Sequence, residues 1–531
     1  MTPLTRSTTC RVGRWQGTTA FLALALALAG CGGGGGGSDI APGGNGGNGS
    51  NWTPGVFLDA STFRNQCVAP RSGTNPATGN PYPDVAGTRT DENNFLRSYS
   101  NDTYLWYDEI VDRDPALYET LEYFDLLQTD ATTASGAPKD KFHFTYPTDE
   151  WFELSQSGSS AGYGVQWVLL QSFPPRKALV AYTDPNTPAD DANLLRGAEV
   201  LEVDGVDLIN GNDVDTLNNG LFPATAGESH EFLIRDPDGN ERTVTLVSEI
   251  ITSDPVQNVK TVQTASGTVG YLLFNDHIAT AEQGLINAVN DLASENITDL
   301  VIDIRYNGGG FLFIASEFAH MIAGSNATAG RTFEVLRFND KHPSTNPVTG
   351  QPLEPIPFFN TSNSGQALPT LDLPRVFVLT GPGTCSASES IINGLRGIDV
   401  EVIQIGSTTC GKPYGFYPTD NCGTTYFTIQ FSGENDKGFG DYADGFSPEN
   451  TGGPLTTPIP GCSVADDFSH PLGDPDEGRF AAALGYIAGM DCPAPTGVAL
   501  PGVSKPGSAS YSDEDMVLPR SPLREMRILD R

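Results

Sequence analysis

The sequence predicts an α/β chain, and three stretches carry that expectation. Asp299-Leu300-Val301-Ile302-Asp303-Ile304-Arg305 and Val376-Phe377-Val378-Leu379-Thr380 are short apolar runs rich in β-branched residues. Such runs belong to strands buried on both faces of a parallel sheet. Each leads into a glycine-containing turn, Gly308-Gly309-Gly310 or Gly381-Pro382-Gly383, and then into a segment of helical periodicity. The helical segment after Ser386 is followed by a third such run, Val400-Glu401-Val402-Ile403-Gln404-Ile405. Strand, turn and helix in alternation imply parallel pairing through crossover helices.

Taken in order, the chain begins with Arg6, Arg11 and Arg14 ahead of the apolar run from Ala20 to Ala29. That run is too short to span a bilayer and suits the core of an export signal. It ends Leu28-Ala29-Gly30-Cys31, which resembles a bacterial lipobox, so Cys31 is the expected lipidation site and membrane anchor. Residues 1–31 read as this signal. Residues 32–55, rich in glycine, serine and asparagine, read as a flexible linker that buries too little apolar surface to fold. Residues 56–155 read as a helical N-terminal segment, for instance Glu92-Asn93-Asn94-Phe95-Leu96-Arg97 through Leu105-Trp106-Tyr107, whose aromatic residues read as core rather than cofactor site. Between 156 and 250 the pattern is β. Phe232-Leu233-Ile234-Arg235 and Thr243-Val244-Thr245-Leu246 form a hairpin through Asp236-Pro237-Asp238-Gly239, a tight turn rather than a calcium loop. The α/β body occupies 258–495, with a strand over Val269–Phe274 and helices from Ala279 to Ala293 and from Phe311 to Ile322. Polar, proline-containing residues 496–531 read as a flexible tail.

A net charge of −35 argues against nucleic acid, because phosphate binding needs a basic face, and against electrostatic docking on anionic lipid. Beyond Cys31 lie Cys67, Cys385, Cys410, Cys422, Cys462 and Cys492, an even set that suggests disulfides in an exported chain. Cys385–Cys410 and Cys410–Cys422 are equally open. The spacings match no zinc pattern, so no metal is expected. The glycines after Tyr306-Asn307 lack the Lys-Ser/Thr of a phosphate loop, and no cofactor is expected either. Gly158-Ser159-Ser160-Ala161-Gly162 fits the G-x-S-x-G string, but a polar loop precedes it and a strand follows, the reverse of a nucleophile elbow.

Thr384-Cys385-Ser386-Ala387-Ser388-Glu389 places Ser386 at a strand-to-helix turn. The first N–H groups of a helix have no internal acceptor and can hold a developing oxyanion. A serine hydroxyl needs a base, and Lys412, in Cys410-Gly411-Lys412-Pro413, lies 26 residues on. A lysine serves as base only when neutral, which requires burial away from carboxylates. Bringing its pKa to about 7–8 costs roughly 4 kcal/mol. Taken alone, Ser386 is an ordinary helix N-cap and Lys412 a surface charge.

Together the two motifs resemble the C-terminal processing (tail-specific) serine peptidases, in their lipoprotein form. Ser-Ala-Ser-Glu after a strand, the Gly-Lys that follows, and Asp303-Ile304-Arg305-Tyr306-Asn307-Gly308-Gly309-Gly310, close to the family's D-L-R-x-N-x-G-G, carry the resemblance. It implies a crotonase-like (ClpP-like) α/β catalytic domain, Ser386 as nucleophile and Lys412 as general base. The oxyanion hole falls to Ala387 with Gly308 or Gly309. A glutamine usually orients the lysine from four residues beyond it, where this chain has Phe416. Residues 156–250 resemble a PDZ domain, through Ala161-Gly162-Tyr163-Gly164 and Leu195-Arg196-Gly197-Ala198-Glu199-Val200. Gly162, Tyr163 and Gly164 would then capture a peptide carboxylate. In related tricorn-like proteases a histidine ahead of the PDZ-like domain is the base, which makes His143 a rival to Lys412. Protein or peptide substrates follow, cleaved in the cell envelope on the periplasmic side or at the cell surface. The alternatives are an inactive peptide-binding lipoprotein on the same fold, suggested by Phe416, and a lipid-binding domain. Class A β-lactamase chemistry is disfavoured, since Glu389 and not lysine stands three positions after Ser386.

Overall fold

The structure is a computed structural model that describes residues 52–75, 78–451, 455–496 and 527–528. The export signal, Cys31, nearly all of the linker and most of the tail lie outside the described residues. Of the tail, Arg527–Ile528 pair in parallel with Gly310–Phe311.

The α/β body is built on one six-stranded sheet. Its strands, in spatial order, are β1 (Val256–Thr264), β2 (Gly267–Phe274), β3 (Asp299–Asp303), β4 (Arg375–Thr380), β5 (Glu401–Gly406) and β6 (Gly461–Ser463). The first pair is antiparallel and every later pair parallel. Spatial order follows sequence order, so each crossover steps the same way. Three crossover helices accompany the strands: α1 (Ala281–Ser294), α2 (Leu312–Thr328) and α3 (Ala387–Gly397). The inner strands β2, β3 and β4 have mostly buried apolar centres because both faces are covered, whereas the edge strand β1 alternates with polar residues. Leu272, Phe274, Leu300, Ile302, Val376, Val378 and Val402 join one core with the three helices. Their neighbours Tyr271, Leu273, Val301, Phe377, Leu379 and Ile403 join a second core with α4 (Gly478–Ile487). Helix α2 runs past the expected end at Ile322 and breaks at Gly324, whose φ is 84°.

Two smaller sheets position the catalytic candidates. Thr332–Phe338 pairs with Phe431–Glu434, which pairs with Tyr414–Gly415, directly after Lys412. Phe144–Pro147, from the N-terminal segment, pairs with Thr424–Phe427, which pairs with Thr419–Asn421. That segment is less helical than the sequence suggests. Its long helix is Arg89–Thr103, closed by a Thr88–Asp91 capping box. Pro70, Pro81 and Pro83 keep the preceding stretch out of helix. The segment is tied to the main body by the Cys67–Cys422 disulfide.

Residues 165–247 form a separate sheet with a core of their own, including Trp167, Val180, Val200, Phe232 and Ile234. Its order is Glu241–Val247, Ser229–Arg235, Glu199–Val203, Lys177–Thr183, Val165–Gln171. The hairpin closes through Gly239 N–H to Asp236 O at 2.8 Å.

Candidate active site

Ser386 sits at the mouth of α3 with φ 57° and ψ −118°, a backbone position that costs a non-glycine residue on the order of 1–3 kcal/mol. The turn before it is stitched to the loop that leaves β3. Thr384 Oγ1 donates to Ile304 O at 2.8 Å, and Cys385 N–H donates to Asn307 O at 3.1 Å. Ser388 Oγ donates to the same Asn307 carbonyl at 3.1 Å. Serine turn and glycine loop are therefore one unit.

Lys412 reaches that unit through Glu389. One carboxylate oxygen, Oε2, accepts from Ser386 N–H at 3.0 Å and from Lys412 N–H at 2.8 Å. The other accepts from Gly411 N–H at 2.9 Å and from the Thr409 hydroxyl. Burial pushes the Glu389 carboxyl up, and these donors pull it part of the way back. A Cys385–Cys410 disulfide and a 3.0 Å bond from Cys410 N–H to Thr384 O reinforce the junction. Gly411 has φ 80°, and a Cβ there would lie 2.2 Å from Ala443 O, so only glycine fits.

Both Ser386 and Lys412 are 0 % exposed. The lysine Nζ lies 4.6 Å from the Phe142 ring centroid and 4.5 Å from that of Phe416. Phe416 is braced edge-on by Phe427 and Phe144, and those two stack 4.3 Å apart. Lys141 Nζ donates to Cys410 O at 2.8 Å, fastening the segment before Phe142 to the lysine loop. Beside this loop opens a cleft lined by Lys139, Tyr414, Phe439, Tyr442 and Asp444.

In the glycine loop, Gly309 N–H donates to Asn307 Oδ1 at 2.9 Å and is thereby engaged. The same oxygen accepts from His277 Nδ1 at 3.0 Å, while Asn307 Nδ2 donates to Phe274 O at 3.0 Å. Burial drives the His277 pKa down to about 3, so the ring is neutral in any ordinary buffer. Arg305, at the base of the loop, is wholly buried and forks onto Asp303 at 2.8 and 2.9 Å. It also binds Glu477 at 2.7 and 2.9 Å and Asp466 at 2.6 Å. Arg196, from the separate sheet, reaches Asp466 at 2.6 Å and Tyr306 Oη at 2.7 Å.

His143 has other partners. Its Nε2 lies 2.9 Å from Phe124 O and its ring stacks on Phe124 at 3.8 Å, and burial lowers its pKa. Tyr163 is a core residue whose hydroxyl donates to Gly220 O at 2.9 Å. The flanking residues are Gly162, at a strand end, and Gly164 (φ 71°), where a Cβ would strike Thr187 at 2.3 Å. Sequence reasoning missed the clamping role of Glu389, although S-x-x-E ahead of an apolar helix is a capping-box signal. It also missed His277, Asn307 and Phe142, which have no local signal.

Fold and site together define a single-wound α/β domain with a buried serine and lysine held beside a glycine loop. Residues 268–417 match the family model described as Peptidase family S41, and this part of the chain is similar to the C-terminal processing peptidases. It is 26 % identical over 267 residues to the "Carboxyl-terminal-processing protease" of Picosynechococcus sp., covering 49 % of this chain and 56 % of that protein. It is 25 % identical over 274 residues to "Carboxyl-terminal-processing peptidase 3, chloroplastic" of Arabidopsis thaliana, covering 49 % of this chain and 47 % of that one. The chain thus spans about half the length of the curated relatives it matches. Its fold is shared with a crystal structure described as an S41 protease from Bacteroides fragilis NCTC 9343. That match has a TM-score of 0.55 and 22 % identity, covering 77 % of this chain and 98 % of that one.

Proposed function

We propose that this protein is an exported serine endopeptidase that recognises protein or peptide substrates through their C-termini. One observation carries the reading: Ser386 and Lys412 hang from a single oxygen of Glu389, with both side chains buried. Ser386 Oγ attacks the peptide carbonyl carbon while Lys412 Nζ takes its proton. The oxyanion is met by Ala387 N–H, at the first turn of α3, and by Gly308 N–H, since Gly309 N–H is held by Asn307. The lysine ammonium then protonates the leaving amine. Water, deprotonated by the same lysine, hydrolyses the acyl-enzyme.

The separate sheet at 156–250 acts in this reading as a PDZ-like domain, with Gly162, Tyr163 and Gly164 facing a substrate carboxylate. The sequence supports export and lipid anchoring at Cys31 in the cell envelope. Among the described residues no helix is long and apolar enough to cross a membrane.

Incubating the mature protein and its Ser386→Ala variant with an unfolded polypeptide tests the reading. Fragments are expected from the first only, and free-C-terminal peptides should be cleaved faster than amidated ones at subsaturating concentration. Identical fragment patterns from both proteins would refute it and favour the inactive peptide-binding alternative.

A further inference from the structure

A lysine that takes a proton from a serine must be held as well as neutral. A four-carbon side chain with free rotamers spends little time in one geometry, and a misplacement of about 1 Å can cost on the order of 10²-fold in rate. The family that this chain resembles usually has a glutamine four residues after the lysine, and this chain has Phe416 there. We propose that the ring faces of Phe142 and Phe416 position Lys412 for proton transfer. The proposal rests on the Ser386–Lys412 reading.

The rings lie at nearly equal distances from Nζ, 4.6 and 4.5 Å, within the reach of a cation–π contact. They are among the most enclosed side chains of the molecule, at 1 % and 0 % exposure. Neither is free to swing. Phe416 is wedged by Phe427 and Phe144, and Trp151 packs edge-on against Phe427 at 5.1 Å. Phe142 is fixed from its backbone, where its N–H donates to Asp140 Oδ1 at 2.9 Å; the other oxygen of that carboxylate accepts from Tyr104 Oη at 2.8 Å. A ring face attracts the ammonium weakly and offers the amine no strong acceptor. The two rings therefore restrict where the amine can sit while holding its proton only weakly. Phe142 and Phe416 are positioning residues; neither touches the scissile bond.

The test exploits a reversal of rank. If Phe416 merely fills space, Phe416→Leu should work better than Phe416→Gln, because leucine is apolar and glutamine buries an amide. If it positions the lysine, the amide of Phe416→Gln can hold the amine and the leucine cannot. Steady-state kinetics should then show Phe416→Leu losing about 10- to 100-fold in kcat at unchanged KM. Phe416→Gln should keep kcat within severalfold, even though its Tm falls below that of Phe416→Leu. Phe142→Leu repeats the test from the other ring and should lose kcat at unchanged KM and near-native Tm. Wild-type kcat in both leucine variants, or Phe416→Gln ranking below Phe416→Leu in kcat, would overturn the proposal. Lys412→Ala in the same assay separates the two readings. An inactive Lys412→Ala beside fully active leucine variants sinks only the ring clamp, whereas an active Lys412→Ala sinks the Ser–Lys reading itself.

Discussion

Arg305 and Lys412 are both buried basic side chains in one domain, 1 % and 0 % exposed, and their neighbours differ. Arg305 lies among Asp303, Asp466 and Glu477, its fork filled by hydrogen bonds of 2.6 to 2.9 Å. Burial alone would lower its pKa, but the three carboxylates outweigh that and hold it well above its usual value. Lys412 lies between two phenyl rings. Ring faces stabilise a cation by about 0.5–2 kcal/mol each, far less than three buried carboxylates. The difference separates two uses of positive charge. A cation that must keep its proton is given anions. The Lys412 ammonium position is bounded by two aromatic rings.

The same substitution at both positions sharpens the contrast. On the proposed Ser–Lys reading, Lys412→Met should cut kcat/KM by about 10⁴-fold or more, while leaving stability within about 1 kcal/mol of wild type. Arg305→Met should do the opposite in kind, lowering the unfolding free energy by roughly 3–5 kcal/mol because it removes the buried counter-charge of Asp303 and Glu477. Urea titrations and peptidase assays on the pair would show it, and equal stability losses at both sites would break the comparison.

Asp184 offers a smaller effect, as an anion with modest support. Its side chain accepts from Gln257 Nε2 at 2.7 Å, and burial raises its pKa to about 6 from an ordinary 3.8. The folded state thus holds this proton more tightly than the unfolded chain. Stability is lost as pH rises from about 4 to 6 and stays lost above. Asp184→Asn, which keeps the acceptor, should be more stable than wild type at pH 7 by about 1–2 kcal/mol and indistinguishable near pH 4. A penalty at pH 7 would contradict this assignment.

Much of this was legible in the sequence where the signal is local. Apolar runs of five or six residues ending in glycine turns marked β3 and β4, and the turn after β4 marked Ser386. The walls of the lysine site were not legible, because they come from far along the chain. Lys141 and Cys410 meet across 269 residues, carried together by the pairing of Phe144–Pro147 with Thr424–Phe427. No periodicity reports such a meeting. Disulfide pairing was closed for the same reason: Cys67 and Cys422 lie 355 residues apart. His277 and Asn307 are brought together only by the parallel pairing of β2 with β3.

The central claim is that Lys412 activates Ser386. Its most direct measurement is the rate at which a fluorophosphonate labels Ser386, followed by mass spectrometry of the intact protein and located by peptide mapping. Wild type should be labelled at Ser386, faster as pH rises, because the base must be neutral. Lys412→Ala and Lys412→Arg should both be labelled about 10³-fold more slowly or not at all, since arginine keeps its proton at any accessible pH. Labelling of Ser386 in Lys412→Ala at the wild-type rate would contradict the account.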